Sequence, residues 1–142
     1  MTRVTFYFNA NDKAEVAMRL AGKAYGAGKS VLVYEPDAVR ADALDRLFWT
    51  ASQLSFLPHV RCGHPLANQT PILIGDKPEE LAQADVIINL GQETPACFAR
   101  FERLLEVVGR DEADRERGRA AFRFLRERGY ALDTHDLSAS GG

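Results

Sequence analysis

The run Val86-Ile87-Ile88-Asn89-Leu90 is apolar at almost every position, so a strand built from it has no face to offer to water. Strands of that kind belong to parallel sheets with helices packed on both sides, whereas a sheet with one wet face reads as alternating apolar and polar residues. The rest of the chain supplies the other parts of such a fold. Residues 3–8 are rich in β-branched and aromatic side chains and end at Asn9-Ala10-Asn11-Asp12, which predicts a strand running into a helix N-cap. Asp12 and Glu15 have capping-box spacing. They precede Val16, Met18, Leu20, Ala21 and Ala24, and Gly26-Ala27-Gly28 closes the segment, as expected of a helix with a glycine stop.

The alternation continues. Ser30–Tyr34 predicts a second strand, and Pro36-Asp37 opens a helix to about Thr50 with Val39, Leu44, Leu47 and Phe48 as its apolar stripe. Residues 51–68 lack periodicity and contain Pro58, Gly63 and Pro65; they read as a surface excursion with a short extended piece at Phe56–His59. Thr70–Gly75 is another short apolar run. Thr94-Pro95 predicts the start of a helix carrying Phe98, Phe101, Leu104, Leu105 and Val108, stopped by Gly109. An arginine-rich helix follows, ending at Gly129, and then a short strand or an extended tail around Tyr130–Leu132. The expected architecture is α/β: a mainly parallel, doubly wound sheet of about five strands flanked by helices, in one domain over 1–137 with a flexible tail at 138–142.

Composition narrows the function classes. With 142 residues, 46% of them hydrophobic, the chain is long enough for a real core. A net charge of −2 argues against a nucleic-acid binder that relies on overall positive charge. No apolar run approaches the roughly 18 residues of a membrane span, and no secretory pattern opens the chain, so a cytoplasmic protein with no membrane association is expected. Two cysteines, Cys62 and Cys97, predict reduced thiols rather than a disulfide framework.

Against this acidic background, residues 115–128 hold six arginines and two glutamates. At about 100° per residue, Arg115, Arg119, Phe122, Arg123 and Arg126 share one face of a helix, while Gly118, Ala121, Phe124 and Leu125 share the other. The second face is expected to pack on the core, which leaves Phe122 among guanidinium groups and facing water. An aromatic ringed by arginines suits an acidic peptide with a hydrophobic anchor, because arginine pairs with carboxylates and phenylalanine supplies apolar contact. A solvated basic face with one stray aromatic is the plainer account.

Other motifs carry less. Gly26-Ala27-Gly28-Lys29-Ser30 looks like the end of a P-loop, but Lys23 stands where the first glycine is needed, and these residues leave a helix and enter a strand, the reverse of P-loop topology. His59, Cys62 and His64 lie close in sequence but lack a fourth ligand at motif spacing, so no metal is expected. Cys97 reads as a packed residue in the first turn of the helix beginning at Thr94-Pro95. No catalytic pattern appears in a suitable context, and no cofactor is expected. Trp49 and Phe56, with Pro58 beside them, place aromatics around the irregular segment, as a loop tucked onto the core or as a protein contact patch.

Taken together, Val4-Thr5-Phe6-Tyr7-Phe8, Gly28-Lys29-Ser30-Val31-Leu32-Val33, Leu44-Asp45-Arg46-Leu47-Phe48-Trp49 followed by Ser55-Phe56-Leu57-Pro58-His59, Asp85-Val86-Ile87-Ile88-Asn89-Leu90, Phe98-Ala99-Arg100-Phe101, Glu106-Val107-Val108 and the arginine helix with Gly129-Tyr130 resemble the chi subunit family of bacterial DNA polymerase III holoenzyme. The spacing from Trp49 to Ser55-Phe56-Leu57-Pro58-His59 is the most specific element. The resemblance implies a Rossmann-like clamp-loader accessory protein without catalytic residues of its own. It would hold the acidic, phenylalanine-ended C-terminal tail of single-stranded DNA-binding protein and touch DNA only indirectly. The family's tail site matches Arg115, Arg119, Phe122 and Arg123 here, and Leu125 or Tyr130 would help line the pocket. The psi subunit is the implied second partner, with Trp49, Phe56 and Pro58 the place to look for it. Arginine stands where lysine can occur and phenylalanine where tyrosine can, which keeps the chemistry; the middle of the chain is shortened. Two rivals remain open: a small-ligand or nucleotide enzyme using the crevice at the strand C-terminal ends near Asn9, Glu35 and Gly91, and direct DNA binding by the arginine helix.

Overall fold

The computed structural model describes residues 1–50 and 57–140. Among them seven strands, β1 (Arg3–Ala10), β2 (Val31–Tyr34), β3 (His59–Arg61), β4 (Ile72–Gly75), β5 (Val86–Asn89), β6 (Arg103–Gly109) and β7 (Leu132–Asp136), form one sheet. Their order is β3-β4-β2-β5-β6-β1-β7, and every pairing is parallel. Three helices connect them: α1 (Lys13–Gly26), α2 (Ala38–Thr50) and α3 (Glu112–Glu127). The fold is α/β and Rossmann-like.

The sheet is covered on both faces, as the Val86–Leu90 run requires. Val16, Ala17 and Ala21 of α1 and Ala41, Leu44 and Phe48 of α2 pack on one face against Val31, Val33, Ile72, Ile74 and Ile88. Leu125 of α3, with Phe98 and Phe101, packs on the other against Val4, Phe6, Leu32, Leu73, Ile87 and Leu104. Alternation along β1 therefore points Val4, Phe6 and Phe8 toward α3 and Tyr7 toward α1. Asp12 and Asp111 cap α1 and α3 by accepting from the N–H groups of Glu15 and Asp114 at 3.2 and 3.1 Å. Arg128 and Gly129 end α3, with Gly129 at φ 85°.

Four expectations need correction. The sheet has seven strands rather than about five. The helix expected from Thr94-Pro95 to Gly109 is a short 3₁₀ turn, Ala96–Arg100, followed by β6, and Cys97 lies in that turn. The apolar residues there fit helical spacing, but Leu104 and Val108 feed one face of the sheet while Leu105 and Val107 feed the other; short apolar runs fit either period. The interruption that hid the strand is Glu106, wholly buried inside β6. The extended piece expected at Phe56–His59 is β3, beginning at His59; Phe56 lies outside the described residues.

The fourth correction concerns α3. Phe122 does not face water: it is half-buried with its ring edge-on to Phe6 at 5.4 Å. Phe124, assigned to the core face, is 44% exposed under the Arg128 guanidinium, 4.2 Å from the ring centroid. The helix rests on the sheet along Gly118, Ala121, Phe122 and Leu125, so its buried stripe is rotated from the one expected at about 100° per residue.

Candidate functional site

Gly118 sets how closely α3 approaches the sheet. A Cβ there would stand 2.9 Å from Val108 Cγ2, so the helix backbone seats directly on β6, and beside that contact the helix and the C-terminal half of β1 leave a cleft of about 540 Å³. Phe6 and Phe8 of β1, Val108 of β6 and Phe122 of α3 make it apolar; Arg115, Arg119, Arg123 and Arg126 surround it, and Asn9 and Thr134 complete it toward β7. All four residues singled out on α3, Arg115, Arg119, Phe122 and Arg123, line this one cavity. Leu125 and Tyr130 do not: Leu125 is fully buried in the core, and Tyr130 packs on Phe98 with ring centroids 5.2 Å apart. Sequence reasoning missed Phe6, Phe8, Asn9 and Thr134. The alternation of Val4, Phe6 and Phe8 along β1 was the available signal for the two phenylalanines.

The guanidinium groups of α3 differ in what they already hold. Arg119 donates to Glu112 Oε1 at 3.2 Å and to Glu116 Oε1 at 2.5 Å, and these carboxylates, Glu112 first, push its pKa further up. Arg115 donates to Asn9 Oδ1 at 3.0 Å. Arg126 lies over the Phe122 ring at 5.7 Å. Arg123 has no hydrogen-bonded or ionic partner among the described residues.

Arg117 points the other way. Its side chain is only 10% exposed and donates to Asp114 Oδ1 at 2.8 Å, Glu106 Oε1 at 3.2 Å and the Val107 carbonyl at 3.0 Å. Glu106 also accepts from Asn89 Nδ2 at 3.0 Å and Thr94 Oγ1 at 2.7 Å. Burial disfavours charge on Arg117, but hydrogen bonds and charge from Asp114 and Glu106 outweigh it and raise its pKa. Burial likewise pushes Asp114 up, and the bonds from Arg117 and the Gly109 N–H outweigh it and hold it down. This network fastens the first turns of α3 to β5 and β6.

A second cleft, of about 390 Å³, opens where the connections after β1 and β6 leave on opposite faces of the sheet, the usual ligand position in this fold class. Lys13, Glu35, Arg40, Gln92, Asp111 and Asp114 supply its polar lining. Of the three residues expected there, only Glu35 lines it: Asn9 belongs to the α3 cleft, and the Gly91 N–H is bonded to Asn89 Oδ1 at 2.9 Å. Lys13 pairs with Asp114 at 3.2 Å. The helix N-termini, where an anion would dock, are capped by Asp12 on α1, Asp37 on α2 and Asp111 on α3. Glu35 is buried, with its carboxyl pKa pushed up by desolvation.

The remaining motifs separate. Gly26-Ala27-Gly28 lies at the opposite end of β2 from this crevice, with Gly28 at φ 78° and Lys29 paired with Glu102. His59 is buried, with Nδ1 2.7 Å from the Leu57 carbonyl and Nε2 3.3 Å from Asp45. Cys62 approaches the Lys77 carbonyl, and His64 Nδ1 accepts from the Leu66 N–H. No metal-ligating cluster occurs among the described residues. Trp49 is 56% exposed with its ring 4.9 Å from His59, and Pro58 is half-buried nearby. No helix among the described residues is long and apolar enough to cross a membrane.

Comparison with known proteins gives these features a context. The family model described as DNA polymerase III chi subunit, HolC, matches residues 1–133. The DNA polymerase III subunit chi of Pseudomonas aeruginosa is 33% identical over 141 residues, covering 96% of this chain and 98% of that protein. The subunit chi of Haemophilus influenzae is 30% identical over 124 residues, covering 87% and 86%. Among solved structures, Saccharomyces cerevisiae Dbp5 bound to RNA and ADP BeF3 superposes with a TM-score of 0.67 at 12% identity, over 95% of this chain and 41% of the yeast chain; that likeness is one of fold alone. With the family model spanning nearly the whole length and a relative one-third identical from end to end, the chain belongs to the DNA polymerase III chi subunit family of replication accessory subunits.

Proposed function

We propose that the α3 cleft holds the acidic C-terminal tail of single-stranded DNA-binding protein, and that the chain acts in the cytoplasm as a non-catalytic adaptor between that protein and the clamp loader. The observation that carries this reading is the half-buried Phe122, edge-on to Phe6, inside a rim of four arginines. The tail's carboxylates lie along Arg115, Arg119 and Arg123 while its terminal phenylalanine packs beside Phe122. Long-range attraction speeds encounter and the apolar anchor slows release. Arg123, which has nothing to give up, is the first cation available; Arg119 must exchange Glu112 and Glu116 for the ligand. Trp49 and Pro58, with Phe56, are the proposed contact for the psi subunit. DNA is reached only through the tail.

The nucleotide-enzyme alternative has its crevice, but the aspartates capping three helices there disfavour a phosphate. A pull-down with full-length single-stranded DNA-binding protein and a form lacking its last residues tests the main reading: capture of only the full-length form supports it, and equal capture of both overturns it. In a fluorescence titration with a labelled tail peptide, Phe122→Ala is expected to weaken binding by about 2 kcal/mol, the scale of an interface hot spot, and Arg119→Glu to weaken it too. Unchanged affinity in Phe122→Ala would move the site off this cleft.

A further inference from the structure

Asn9 is the only non-glycine among the described residues with a positive φ, 64°, and it stands where the β1–β6 register shifts between Tyr7 and Ala10. Its side chain lies between opposite charges. Oδ1 accepts from Arg115 Nη2 at 3.0 Å, and Nδ2 donates to Asp136 Oδ1 at 2.9 Å. A guanidinium only donates and a carboxylate only accepts, so the amide can be oriented in one way. The same Oδ1 of Asp136, at the end of β7, also accepts from the Ser138 N–H and Oγ at 3.0 and 2.6 Å. The backbone is pinned as well: the Asn9 carbonyl accepts from Arg110 Nε at 3.1 Å.

We infer that Asn9 is a positioning residue of the α3 cleft, its amide holding Arg115 toward the ligand and Asp136 away from it; the ligand in question is the acidic tail, so this rests on the reading above. Without the amide, Arg115 and Asp136 are left facing each other across the vacated space, and their attraction draws the guanidinium onto β7. A tail carboxylate then has to displace Asp136 before it can pair. Few side chains could do both jobs. Aspartate would accept from Arg115 but repel Asp136, and an apolar residue would serve neither. Asparagine also tolerates the left-handed backbone that this bend in β1 imposes, so the residue suits both the turn and the two charges.

Asn9→Gly tests the inference, because glycine keeps the backbone conformation and removes only the amide. In the tail-peptide titration Asn9→Gly is expected to weaken binding about threefold to tenfold, the scale of one net hydrogen bond, and Asp136→Asn added to Asn9→Gly is expected to recover most of that loss. Asp136→Asn alone measures the gain from removing a nearby carboxylate, and a merely structural defect would not be rescued beyond that gain. A crystal structure of peptide-free Asn9→Gly is expected to show Arg115 paired with Asp136. Should Asn9→Gly fold poorly in a thermal melt, Asn9→Asp tolerates the same backbone, and its crystal structure is expected to show Asp136 repelled from position 9 while Arg115 stays bonded there; Asp136 unmoved in that variant overturns the inference. Wild-type affinity in the variant, a loss that Asp136→Asn leaves in place, or Arg115 unmoved in the crystal overturns the inference. If the wild-type protein itself ignores the peptide, the tail reading falls, and the position of Arg115 in the Asn9→Gly crystal still decides whether Asn9 positions it.

Discussion

The two clefts both carry charged side chains, yet they differ in what those charges are bonded to. In the crevice at the strand ends Lys13 is paired with Asp114, aspartates cap the surrounding helices, and Glu35 is buried. Beside α3 the walls are phenylalanine and valine, and the cations stand at the rim with exposed partners or none among the described residues. The same helix contributes to both regions: Arg117 is spent inward on Glu106 and Asp114, while Arg123, two turns on, faces outward. A charge that is buried and satisfied holds the fold together, and one left at the edge of an apolar surface is available to a partner.

The largest expected effect breaks that contrast directly. Arg117→Ala leaves Glu106 buried without its cation and is expected to cost about 3–5 kcal/mol in urea denaturation, whereas Arg123→Ala is expected to stay within about 0.5 kcal/mol of the parent, as surface substitutions do, while weakening the tail peptide. Equal stability losses would mean that the two arginines are not divided between fold and binding. A middle-sized effect is expected at the seat of the cleft. Gly118→Ala drives a methyl into Val108, an overpacking cost of about 1–3 kcal/mol that outweighs the roughly 1 kcal/mol an exposed helix gains from that exchange. A raised melting temperature would show that Val108 turns aside and that the approach of α3 is not set there.

The smallest effect belongs to the crevice. Glu35 has its folded pKa raised by burial, so the ionised form favours the unfolded chain. Below the ordinary glutamate pKa both states are protonated and Glu35→Gln is expected to match the parent. As pH rises through that value toward the raised folded value, the parent loses stability that the variant keeps, and the gap persists to neutral pH. Chemical denaturation across the acid range measures it; a parent more stable than the variant at pH 7 would mean that the Glu35 carboxylate is needed as a charge.

Much of this was legible before the fold was known because the signals were local. The Asp12 cap of α1, the glycine stop of α3, the strands at β1, β2, β4 and β5 and the arginine face of α3 each follow from residues within a turn or a few strand positions of one another. β6 was not legible, because its pattern is interrupted by Glu106, and the groups that make a buried carboxylate tolerable there, Asn89, Thr94 and Arg117, come from three separate places in the chain. The candidate cleft was half legible. Its arginines and Phe122 could be grouped on one helix, but Phe6, Phe8, Asn9 and Thr134 arrive from other strands.

Local chemistry was therefore enough to establish a layered α/β fold and a helix that gathers positive charge in an acidic chain, since periodicity, capping and composition act over a few residues. Which arginine is buried, how Phe122 meets Phe6, why Phe124 is outside and where Asn9 stands between Arg115 and Asp136 were decided by packing. Burial and pairing depend on what the remote parts of the chain bring alongside, and a residue's own neighbours in sequence do not carry that information.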